Sequence, residues 1–158
     1  MGKRKKIRSD SLREIGWREW IQLPDLTKHP IKVKVDTGAQ TSALHATQIK
    51  ILKKGTKRFV SFVIQPGHKR PLPAIRVKAE LVEKRHVRSS TGDRTHRPVI
   101  KTRIGLNGGF REIELTLVNR DMMGFRMLLG RQALRNYFLV NPARSYLLSR
   151  TKKPRKSP

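Results

Sequence analysis

Asp36-Thr37-Gly38-Ala39 is the stretch whose residue types and order can do chemistry. Ahead of it, Ile31, Val33 and Val35 alternate with Lys32 and Lys34, as in a strand with one buried face. A carboxylate leaving such a strand, with a glycine soon after, sits where the backbone turns sharply and main-chain N–H groups can hold it. Placed this way, Asp36 can be aimed into a cleft as an acid or a base. The same tetrapeptide also suits a plain turn. Other familiar chemistry lacks its residues. Cysteine is absent, which removes disulfides, thiolate nucleophiles and Cys-ligated zinc. There is no Gly-x-x-x-x-Gly-Lys-[Ser/Thr] phosphate loop and no His-Glu-x-x-His. The five histidines, His29, His45, His68, His86 and His96, are scattered singly, so neither a metal nor a cofactor is expected.

The elements that position Asp36 read as short strands. Trp17 to Leu23 alternates and stops at Pro24, and with Ile31 to Val35 it suggests a hairpin. Ser42 to Ile51 suits either a short helical turn or an extended segment. Lys53-Lys54-Gly55-Thr56 reads as a turn into Arg58–Gln65, which is apolar on both faces and therefore central. Pro66 to Pro73 is a loop, and the strand from Ile75 is expected to continue towards Arg88. Ser89-Ser90-Thr91-Gly92-Asp93 is a turn between two polar strands, which predicts a hairpin projecting from the core. Asn107-Gly108-Gly109 marks another hairpin. The spacing predicts one helix over 131–137 and a closing hairpin, Phe138 to Val140 with Ser145 to Ser149. Short strands, frequent turns and a single late helix imply an all-β barrel or sandwich. At 158 residues, one domain over 14–150 is expected, with basic flexible tails at 1–13 and 151–158.

The chain carries 37 Lys+Arg against 11 Asp+Glu, a net charge of +26, and the excess persists without the tails. Such a field draws in polyanions: nucleic acid, an anionic surface or an acidic peptide. Neither a signal-length nor a membrane-length apolar run occurs, so a soluble, cytoplasmic protein without a membrane partner is expected.

Asp36-Thr37-Gly38-Ala39, then Thr41 or Ser42 and Leu44, and later Leu128-Leu129-Gly130-Arg131 opening a helix, resemble the retropepsin pattern of aspartic peptidases. A wider run is similar to a bacterial family labelled "ATP-dependent zinc protease". It includes Gly16-Trp17-Arg18-Glu19-Trp20, Ser42-Ala43-Leu44-His45-Ala46 and the segment from Asn119 to Arg126. The missing phosphate loop and zinc motif favour the retropepsin pattern over that label. The resemblance implies a retropepsin-like closed barrel, active as a two-fold dimer in which Asp36 meets its partner copy. It makes Asp36, Thr37 and Gly38 catalytic, with Ala39 beside the substrate. The hairpin with Arg85, Arg88, Ser89, Ser90 and Gly92 becomes a flap, Leu128, Leu129 and Arg126 the floor, and Gly130 and Arg131 the support. Gln40 departs from the pattern, standing where many viral enzymes place an acidic partner.

The family is associated with an enzyme that adds glutamates to a small-subunit ribosomal protein. Acidic or glutamate-extended tails are thus the implied substrate, and Arg85, Arg88, Arg94, Arg97, Arg103, Arg126 and Arg131 are the residue type that grips carboxylates in pairs. Two alternatives stand beside the peptidase: a basic β-barrel binding RNA or the ribosome, partly through its tails, without peptidase activity, and a zinc-dependent peptidase.

Overall fold

The computed structural model describes residues 12–67, 71–88, 92, 94–106, 109–120, 122 and 124–149. Among these residues, twelve strands and one helical turn follow each other. They are β1 (Arg13–Gly16), β2 (Arg18–Ile21), β3 (Ile31–Val35), β4 (Ser42–His45), β5 (Thr47–Lys54), β6 (Lys57–Ile64), β7 (Ile75–Glu80), β8 (Glu83–Arg88), β9 (Arg94–Leu106), β10 (Gly109–Val118), β11 (Met127–Leu129), α1 (Arg131–Leu134) and β12 (Phe138–Asn141). The all-β expectation holds. The basic tails lie outside the described residues, except that Arg13 already opens β1.

Strand order in the seven-stranded sheet is β2-β3-β11-β4-β10-β9-β8. Its centre carries the consequence for Asp36. β11 runs parallel to β3 and antiparallel to β4, so the chain leaves β3, passes over the end of β11 and returns as β4 on the far side. Residues 36–41 make that passage. Val33, Met127, Leu129 and Leu44 are buried beneath it. A second sheet, β5-β6-β7, lays Val60, Phe62 and Ile64 onto the same core.

The expected single closed barrel is not seen among the described residues: the seven strands make an open sheet, its two arms meeting where Gln22 and Gly105 exchange N–H···O bonds of 2.9 and 2.7 Å and where Arg103 of β9 holds Asp25 just past β2. Residues 42–51 are extended, resolving that alternative in favour of strands. The strand expected to run from Ile75 towards Arg88 breaks at Leu81. There the Leu81 N–H still bonds Arg58 O of β6, while the Val82 N–H already bonds Val99 O of β9, so the chain changes sheets between adjacent residues. The helix expected over 131–137 ends at Leu134. Arg135 leaves helical geometry at ψ 132° and Asn136 takes φ 70°, a left-handed value that asparagine tolerates.

The closing hairpin is replaced by a different device. β12 pairs in parallel with β1, and residues 145–149 form no strand. Their backbone donors turn instead to Glu19, a fully buried carboxylate. Its oxygens accept N–H groups from Gly16 at 2.8 Å, Leu147 at 2.9 Å, Leu148 at 3.2 Å and Ser149 at 3.1 Å, and the Ser149 hydroxyl at 2.7 Å. Gly16 leaves room for this: a Cβ there would stand 2.6 Å from Arg144 O. Outside the clasp, the Arg18 guanidinium lies over the Trp17 and Tyr146 rings at 4.7 and 5.0 Å.

Glu19→Ala strands these buried donors together. Because each unmet buried group costs about 1–3 kcal/mol, the variant should lose about 3 kcal/mol or more in a urea titration. A loss under about 1 kcal/mol would show that the clasp is not the anchor of the C-terminal segment.

Candidate active site

Asp36 stands where β3 ends, and its backbone N–H still belongs to the sheet, bonding Leu129 O at 2.9 Å. The chain then folds back: Ala39 N–H reaches Asp36 O at 3.2 Å, and Gly38 N–H donates to Asp36 Oδ1 at 2.9 Å. A Cβ on Gly38 would sit 3.2 Å from that carboxylate oxygen, so glycine keeps the contact unobstructed. One carboxylate oxygen is held by the main chain, and the group as a whole is half-buried. Thr37 and Gly38 next to it are exposed.

The start of α1 supports this loop. A helix presents main-chain N–H groups at its first turn that have no partner within the helix. Here Arg131 N–H bonds Ala39 O at 2.8 Å and Gln132 N–H bonds Gln40 O at 3.0 Å. Gly130 gives its N–H to the Ser42 hydroxyl at 3.0 Å. The Arg131 guanidinium reaches back to the carbonyls of Thr37 and Gly38 at 3.0 and 3.1 Å. Gly130 is obligatory for the approach, since a Cβ would meet Thr41 C at 2.7 Å and Thr41 O at 2.8 Å. Gln40, the departure from the viral pattern, contributes its carbonyl to α1 and leaves its side chain exposed.

On the floor, Leu128 is half-buried, while Leu129 is fully enclosed in the core and presents no surface. Period-two alternation separates them: neighbours on β11 face opposite sides. The β8–β9 hairpin forms as expected, with Arg85 opposite Arg97 and Arg88 opposite Arg94. Gly92 is exposed with φ 89°, as a turn glycine would be. Ser89 and Ser90, and the side chains of Arg88 and Arg94, lie outside the described residues.

Several of the arginines have internal duties. Arg85 bonds Glu83 and, at 2.6 Å, Glu114; its other nitrogen lies 3.4 Å from the Thr41 hydroxyl. Glu114, chiefly, raises the Arg85 guanidinium above its ordinary value. The hairpin base is thereby joined to the segment that follows the Asp-Thr-Gly turn. Arg103 grips Asp25 at 2.7 Å and holds that carboxyl below the usual range through its side-chain hydrogen bond. Arg126 donates to Gly67 O at 3.1 Å. Arg97 is half-buried and pushed below its ordinary value first by burial and then by the charge of Arg120. Ser42 and Glu19 stood inside the runs that carry the family resemblance, but their duties, receiving the Gly130 N–H and clasping the C-terminal segment, were not expected, and nothing local marks Glu114.

An all-β chain with an Asp-Thr-Gly turn seated on a Leu-Leu-Gly-Arg helix start has the makings of a retropepsin-like fold. The family model described as the retropepsin-like aspartic endopeptidase RimB matches residues 14–151, and the chain belongs to that RimB-like family. A probable alpha-L-glutamate ligase of Shewanella pealeana is 42% identical over 140 residues, which cover 89% of this chain and 31% of that protein. One from Parasynechococcus marenigrum is 41% identical over 134 residues, covering 85% and 29%. The chain thus spans under a third of the length of the curated relatives it matches. A crystal structure of a Legionella pneumophila protein of unknown function superposes with a TM-score of 0.68 at 28% identity, covering 85% of this chain and 97% of that one.

Gly130→Ala should force Thr41 away from α1. The expected result is about 1–3 kcal/mol of lost stability, the range for overpacking a tight site, with faster amide exchange at Gly38 and Ala39. Unchanged exchange at these two amides would show that the loop does not depend on the helix start.

Proposed function

We propose that the chain is an aspartic endopeptidase that works as a two-fold dimer, its catalytic pair being Asp36 of each copy, on acidic or glutamate-extended protein tails. The observation that carries this reading is the Asp36 turn itself: rigid below, with Thr37 and Gly38 exposed at its tip. A single chain offers one such aspartate, and the chemistry needs two. An isologous two-fold contact supplies the second from the same patch.

Two carboxylates brought that close share one proton. The ionised one takes a proton from water as the water oxygen bonds the scissile carbonyl carbon, and the protonated one hydrogen-bonds and protonates the carbonyl oxygen. Collapse of the resulting gem-diol breaks the C–N bond, the amine nitrogen takes a proton from the pair, and the second carboxyl recovers its own from the diol. Thr37 would bond across the dimer beneath the pair. Gly38 and Ala39 would present main-chain groups to the peptide, Leu128 would line the floor, and the β8–β9 hairpin, with Gly92 near its tip, would close from above.

Support for an acidic substrate comes from the charge balance, 37 Lys+Arg against 11 Asp+Glu, which draws acidic chains towards the protein. The glutamate ligase names of the relatives agree with a glutamate-bearing substrate. Among the described residues no helix is long and apolar enough to cross a membrane; a cytoplasmic setting is part of the proposal.

Asp36→Asn should lower cleavage of a glutamate-extended peptide by roughly 10²–10⁴-fold, the usual weight of acid–base catalysis, and leave a basic control peptide uncut as before. Retained cleavage sinks the aspartic mechanism, and inactivation of the native protein by a chelator would favour a zinc peptidase. Mixing native and Asp36→Asn chains separates the dimer question. A shared pair makes activity fall as the square of the native fraction, whereas proportional loss would mean that each chain acts alone.

A further inference from the structure

The β5-β6-β7 sheet has a face that the catalytic reading does not use. Cross-strand partners project on the same side of a sheet, and neighbours along a strand on opposite sides. The registers Lys50↔Ser61, Leu52↔Phe59 and Lys54↔Lys57, with Ser61↔Lys78, Phe59↔Glu80 and Val63↔Arg76, therefore gather one set of side chains on one face. Val60, Phe62 and Ile64 occupy the other face, against the core. The outward face thus holds Lys50, Lys54, Lys57, Lys78 and Arg76 against a single acid, Glu80.

Among the described residues, none of these cations forms an ion pair. Arg76 bonds Gln48 and Ser61, and Lys78 lies over the Phe59 ring at 4.8 Å, contacts that leave both charges uncompensated. At the hairpin end, Lys53 and Arg58 are exposed as well. Leu52 keeps 41% of its surface exposed in the middle of the cationic array.

We propose that this face binds the phosphodiester backbone of a nucleic acid without reading its sequence. Like charges held this close repel one another, and a polyanion laid across them removes the repulsion and releases counterions. The choice between phosphate and carboxylate follows from the side chains. Four of the five cations are lysines, compact point charges suited to phosphate oxygens, whereas paired recognition of carboxylates favours the arginine fork. A sheet face three strands wide also offers a platform rather than the cleft that an acidic peptide would need. Phe59, covered by Lys78, is not open for base stacking, which limits the contact to the backbone.

The test is a fluorescence-anisotropy titration of the full chain with a labelled RNA duplex and a labelled DNA duplex over a series of salt concentrations. The comparison is with K50Q/K54Q/K57Q/K78Q. Each phosphate contact contributes about 0.9 to the slope of log K against log salt, so the variant's slope should be shallower by about 3 to 4 on either duplex. The four Lys→Arg substitutions should restore it, and Asp36→Asn should bind as the native chain does. A change in slope below about 1 overturns the proposal, since any binding would then reside elsewhere, including the basic ends. Tighter binding of a poly-glutamate of equal charge through the same four lysines would also overturn it, assigning the face to an acidic protein. If the quadruple variant is unfolded by circular dichroism, K54Q/K57Q at the hairpin end should still halve the change.

Discussion

The meeting of the Asp36 loop with the first turn of α1 is the constraint on which the rest of the site depends. Each side has what the other lacks. The helix start brings N–H groups that cannot be satisfied within so short a helix, and the loop brings carbonyls that have left the sheet. Ala39 and Gln40 accept from the backbone of Arg131 and Gln132, and Thr37 and Gly38 accept from the Arg131 side chain. The helix is a single turn long and would not stand alone in water. Its persistence therefore rests on the loop, as the loop's shape rests on it.

This mutual support explains why the sheet is threaded as it is. β11 must enter between β3 and β4 for its C-terminal end, Gly130, to arrive beneath the loop that joins those two strands. Gly130 then passes Thr41 and Ala39 at distances no side chain would permit. Ser42 completes the junction from β4 by taking the Gly130 N–H. Further out, Arg85 ties the β8–β9 hairpin to Glu114 and lies near Thr41, so movement of the hairpin base and of the loop are mechanically linked.

Much of this was legible in the chain. The strand before Asp36, the central character of β6, the β5–β6 hairpin at Gly55, the antiparallel pairing of β9 with β10 and the Leu-Leu-Gly-Arg support all follow from alternation and turn chemistry. The misreadings fall where tertiary contacts overrule local pattern. Phe138-Leu139-Val140 and Ser145 to Ser149 alternate and are separated by a good turn, yet β12 is taken by β1 and the later segment by Glu19. A buried glutamate held by backbone N–H groups contradicts its residue type's usual place, and no local pattern announces it. The helix was overextended because Asn136 reads as a helical residue until its left-handed φ is known. Leu129 illustrates the limit for site residues: a motif places both leucines near the aspartate, and only the strand's register shows that one of them faces the core.

The division of labour among the basic residues carries the argument one step further. Net charge alone suggests that every arginine near the cleft awaits an acidic substrate. In the fold, Arg85, Arg103, Arg126 and Arg131 each have a carboxylate or carbonyl of the protein's own in hand. The planar fork that suits carboxylates suits internal bracing equally well. Lysines on the β5-β6-β7 face, by contrast, stand outward with no such acceptor among the described residues. The charge surplus therefore divides into arginines that brace the fold from within and lysines that face outward, and it is the outward set that is placed to meet a polyanion.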